Sequence, residues 1–118
     1  IVLIGSKNAQ NQSQELVNRF NNYQFINLVS KLTFNQTAEV IKHSKILICC
    51  DGGLMHAANA VNANIIALIA RLRPEMLFVN DNQIALFDKN DVNNIEVETV
   101  FKSYSEVSNL FDNHLQGE

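Results

Sequence analysis

The sequence is poor in the residues that build metal and disulfide scaffolds. Its two cysteines, Cys49 and Cys50, are neighbours. Adjacent residues of a strand point to opposite faces, so this pair is not expected to bridge. Both are expected to be buried thiols in a reducing compartment. No CxxC or cysteine–histidine spacing marks a structural metal. Long apolar runs are missing too, since no stretch reaches the roughly 18 residues of a membrane span. Basic residues are scattered, with only Arg71 and Arg73 as a local pair, and the net charge is −3. Nucleic acid, which needs a clustered basic surface, is therefore not an expected partner. There is no internal repeat and no low-complexity linker. The chain opens on Ile1-Val2-Leu3-Ile4, with neither an initiating Met nor a basic leader. It is expected to be a piece of a larger protein that begins inside a buried strand.

What is present suits an ordinary core: 118 residues, 47% of them apolar and 18% charged, are enough for one domain spanning 1–118. The stretch 45–70 organises it. An apolar run over 46–50 ends abruptly at Asp51-Gly52-Gly53. Leu54, Ala57, Ala58 and Val61 then fall at i, i+3, i+4 and i+7, one face of a helix. A second apolar run over 65–70 is long enough for a strand buried on both faces. Upstream, a strand at 1–4 ends at Gly5-Ser6-Lys7-Asn8, and a helix presenting Leu16, Val17 and Phe20 runs to Asn21-Asn22. A strand over 25–29 leads into Ser30-Lys31. Thr33 and Gln36 form a T-x-x-Q capping box, opening a helix with Phe34, Ala38, Val40 and Ile41 as its buried side and His43 near its end. Downstream, Pro74 marks a loop, and the short runs 76–79 and 83–87 fit either strand or helix. A last strand is expected over 95–100. Ser103 and Glu106 form a second capping box, placing the start of a final helix that carries Val107, Leu110, Phe111 and His114.

Strands alternating with helices in this order indicate an α/β fold, a Rossmann-like parallel sheet with helices on both faces. Ligands of such sheets bind beyond the carboxyl ends of the strands. Gly5-Ser6-Lys7, Ser30-Lys31, Asp51-Gly52-Gly53 and Arg71 are all expected at that edge. A strand delivered through glycines onto a helix start offers unpaired N–H groups and a positive dipole end to a phosphate. Spacing alone leaves two readings of Gly52, Gly53 and Leu54: a diphosphate cradle, or a plain turn whose donors are capped by Asp51. Asp51 could accept from a sugar hydroxyl or serve as that cap. His56 lies off the apolar stripe, where it could reach a phosphate oxygen or be a bystander. Lys31, Arg71 and Arg73 could neutralise phosphate or simply be solvated. His43 and His114 sit near helix ends and read as structural.

The residues 28–70 resemble the C-terminal domain of glycosyltransferase family 9, the ADP-heptose:lipopolysaccharide heptosyltransferases. The resemblance rests on Asn27-Leu28 followed by Ser30-Lys31, and above all on Asp51-Gly52-Gly53-Leu54-Met55-His56-Ala57-Ala58 between two apolar strands. Residues 1–20 also look like the family's preceding strand, turn and helix, and the likeness fades past Pro74. It implies the C-terminal half of a GT-B enzyme, two Rossmann-like domains around a cleft, with this domain binding the nucleotide sugar. The backbone amides of Gly52, Gly53 and Leu54 would hold the diphosphate, Asp51 would contact the transferred sugar, and His56 would lie near the phosphates. Gly5, Ser6, Lys31 and Arg71 are secondary candidates. The implied reaction is an inverting transfer of heptose, or a similar sugar, from an ADP-sugar to a lipopolysaccharide core or other glycan. The acceptor site and catalytic base would lie in another domain, and no cofactor or metal would be needed. This piece alone would bind donor weakly and catalyse nothing. The implied setting is the bacterial cytoplasm, compatible with peripheral association at the inner face of the inner membrane. Two positions depart from the family pattern: Gly52 stands where many members have Ser or Thr, and Ser30 where Gly is usual. The rival readings are a UDP-sugar 2-epimerase-like GT-B domain, suggested by Arg73-Pro74-Glu75, and a non-catalytic nucleotide- or phosphate-binding module.

Overall fold

The computed structural model describes residues 1–70 and 82–116, the side chains of 113–116 excepted. The expected loop at Arg71 to Pro74 and the run 76–79 lie outside the described residues, as does the side chain of His114. The chain divides into two compact units, Ile1–Thr37 and Ala38–Glu118.

In the first unit, β1 (Val2–Leu3) and β2 (Ile26–Asn27) pair in parallel. A 3₁₀ turn over Lys7–Ala9 feeds α1 (Gln10–Arg19) between them. The expected strands are present but short, and the amino-terminal one is not buried: Val2 and Ile26 are both exposed. The anticipated apolar face of α1 is likewise open at Leu16 and Phe20, and the buried residue of the helix is Ser13. A polar link joins the helix to the sheet. The Asn27 amide donates to Ser13 Oγ at 3.2 Å while its own carbonyl oxygen accepts from Val29 N–H at 3.1 Å, so α1 is tied to β2 through hydrogen bonds. Then α2 (Phe34–Lys42), whose first residues belong to this unit and whose remainder belongs to the second, opens with the anticipated capping box. Gln36 N–H donates to Thr33 Oγ1 at 3.2 Å, and Thr33 N–H donates to Gln36 Oε1 at 2.9 Å. Thr37 and Ile41 are its buried residues, whereas Phe34, expected inside, is 59% exposed. Phe34 is the first residue of the helix. His43 lies just beyond α2, 3.5 Å from Glu39 in an exposed pair.

The second unit is built on three parallel strands in the order β3–β4–β5: β3 (Leu47–Cys50), β4 (Ile65–Ile69) and β5 (Gln83–Phe87). Their register sets Leu47 beside Ile65 and Ile65 beside Gln83. The central strand is covered on both faces, with Ile65, Ile66, Ala67 and Ile69 wholly buried. That is why its sequence is continuously apolar rather than alternating. At the amino ends the Asn82 amide donates to Asn64 Oδ1 at 2.8 Å and the Asn64 amide donates to the Lys45 carbonyl at 2.9 Å. This asparagine chain runs across all three strands. Gln83 beside it is buried, and neither of its amide atoms has a partner among the described residues. Connecting β3 to β4, α3 (Gly53–Ala60) buries Met55, Ala57 and Ala58.

Two expectations fail here. Residues 95–100 do not form a strand: after a 3₁₀ turn over Val92–Asn94, α4 (Val97–Gln116) runs as one long helix. The Ser103 capping box is therefore interior. Ser103 Oγ donates to the Thr99 carbonyl at 3.0 Å, the bond of a serine within a helix rather than at its start. The second failure concerns the thiols. Strand β3 alternates, with Ile48 and Cys50 exposed and Leu47 and Cys49 half-buried. Cys50 is thus not a buried thiol. Burial, with Cys50 and Asp51 adjacent, pushes the Cys49 thiol up to about 11.

Candidate functional site

The turn after β3 is made by Gly52. Its φ of 155° lies outside the range comfortable for a side chain, although no atom lies within 4 Å of where a Cβ would be. Conformation rather than crowding thus demands glycine at this point. Gly52 is the N-cap of α3, and no side chain caps it. Asp51 therefore does not fill the capping role left open by spacing. The first bond of the helix is His56 N–H to the Gly52 carbonyl, at 3.3 Å. That geometry leaves the N–H groups of Gly53, Leu54 and Met55 beyond the reach of the helix's own carbonyls. Among the described residues no acceptor is recorded for them. Asp51, Gly52, Gly53 and His56 are exposed, and Leu54 is half-buried. Met55, which the spacing left off the apolar stripe, is 1% exposed and anchors this turn from beneath. His56 is indeed off the buried face. The arrangement is an open helix start with unpaired donors, a carboxylate just before it and an imidazole within its first turn. It can take an anion.

The same edge of the second unit holds a carboxylate that the sequence did not single out. Asp88 follows β5, and its Oδ1 accepts from Asn90 N–H at 2.9 Å, Asp91 N–H at 3.0 Å and the Asn94 amide at 3.2 Å. The backbone bonds from Asp91 and Asn90, then the Asn94 amide, hold its carboxyl below the usual carboxylate range. A shallow cavity of about 380 Å³ lies beside it, lined also by Asn94, Glu96 and Thr99. The sequence signal was the cluster of Asp and Asn over 88–94, readable only as a turn.

In the first unit the loops that carry Gly5, Ser6 and Lys31 are joined through the backbone. Ser30 N–H donates to the Gly5 carbonyl at 2.9 Å, which joins the loops leaving β1 and β2. Gly5 has a φ of 157°, and a Cβ there would meet that of Ala9 at 3.3 Å. Lys31 N–H donates to the Leu28 carbonyl at 3.1 Å, closing a turn in which Ser30 has a φ of 63°. That is the turn position where glycine or asparagine is favoured. Ser30 thus keeps the glycine-like backbone despite its side chain. Ser6 and Lys31 are exposed. Arg71 lies outside the described residues.

A family model, glycosyltransferase family 9 (heptosyltransferase), matches residues 1–104. The chain belongs to glycosyltransferase family 9. Among solved structures it is similar to "The crystal structure of the glycosyl transferase family 9 from Veillonella parvula DSM 2008", with a TM-score of 0.78 at 20% identity. The match covers 91% of this chain and 36% of that one, so the chain spans about a third of the length of that protein. At that identity the likeness speaks for the fold, and it agrees with a Rossmann-like parallel α/β arrangement of the GT-B kind. No curated protein matches the chain. Among the described residues no group of three or more His, Cys, Asp or Glu side chains could hold a metal ion, and no helix is long and apolar enough to cross a membrane.

Proposed function

We propose that this chain is the C-terminal, donor-binding domain of an inverting glycosyltransferase, which moves a heptose or similar sugar from an ADP-sugar to a lipopolysaccharide-type acceptor. The observation that supports this most is the open start of α3 in a member of family 9. In this reading the N–H groups of Gly53 and Leu54, with that of Gly52 beside them, hold the donor diphosphate. The positive helix end stabilises charge that grows on the phosphate as the glycosidic bond breaks. Asp51 accepts from a hydroxyl of the transferred sugar, and His56 donates to a phosphate oxygen. Gly5, Ser6, Lys31 and Arg71 are secondary contacts. The acceptor and the carboxylate that deprotonates it belong to the rest of the parent enzyme, so this chain alone is inactive. Its setting in this reading is the cytoplasm, compatible with peripheral association at the inner face of the inner membrane.

The test is a titration of the full-length parent with ADP-heptose, UDP-GlcNAc and ADP. Tight binding of ADP-heptose and ADP is expected, and a clear UDP-sugar preference would overturn the donor assignment. Asp51→Ala in that protein should cut transfer by roughly ten- to hundredfold, the loss of one charge-assisted hydrogen bond, while the fold survives. Wild-type turnover in the variant would rule out the sugar contact.

A further inference from the structure

We draw no further inference here: the strongest candidate, the apolar groove of the second unit lined by Ile48 of β3, Leu68 of β4 and Val97, Phe101 and Tyr104 of α4, is an unpartnered face, and nothing in the structure shows what covers it.

Discussion

Gly52 and Ser30, the two departures from the pattern that the sequence resemblance implied, hold positive φ angles of 155° and 63°. The second departure is the easier to account for. Serine tolerates the left-handed region at a cost of about 1–2 kcal/mol, and the turn forms regardless. At Gly52 the angle lies where side chains are rarely found. Gly52→Ala should therefore destabilise the chain by about 1–3 kcal/mol, read as a lowered urea midpoint at unchanged slope. Because the space around that position is open, the loss would come from the backbone alone. Equal stability would mean that the loop relaxes to another conformation. Asp88 offers a separate test at this scale. Its carboxyl is held below the usual range by N–H donors. Those bonds are intact above the ordinary carboxylate pKa of about 3.9 and are lost as pH falls through the lower folded value. A carbon-detected NMR titration should give Asp88 a midpoint below that figure, and the amide shifts of Asn90 and Asp91 should follow it. A midpoint at the ordinary value would contradict the turn.

Among the elements, those with local chemistry were the most legible. The Thr33–Gln36 box was readable because both of its bonds are made within four residues. Strand β4 was readable because double burial leaves a continuous apolar run. Strand β5 was ambiguous because Gln83 to Phe87 is too short for periodicity to choose. The start of α4 was misread for a different reason. The strand expected over 95–100 had Val97 and Val100 partly buried, yet Val97 is 79% exposed, and the buried residues Ser103 and Val107 stand one helical turn apart. That helical spacing outweighed the inviting Ser103–Glu106 box. The two boxes separate in one experiment. Thr33→Ala should cost about 1 kcal/mol, because it deletes a working cap. Ser103→Ala should be near neutral, because it replaces a mid-helix serine by the best helix former. Chemical denaturation of both variants checks this, and a capping-sized loss at Ser103 would contradict the single long α4.

For the whole molecule, the parallel α/β plan and the loop after β3 were readable because glycines, a strand end and a helix start follow one another without a break. What lay beyond the sequence was conformational: which residue caps α3, that Met55 rather than Leu54 is the buried anchor, and that β3 leaves Ile48 and Cys50 exposed. The central claim concerns the unpaired donors of α3, and one substitution addresses them with little disturbance. Gly53 is the first helical residue, where proline is tolerated, and the extended ψ of −171° at Gly52 suits a following proline. Gly53→Pro thus removes one N–H and leaves the helix. The decisive measurement is calorimetric titration of ADP into the full-length parent protein and its Gly53→Pro variant, with thermal melts of both. The donor cradle predicts a roughly ten- to hundredfold loss of affinity at unchanged melting temperature, and equal affinity would contradict it.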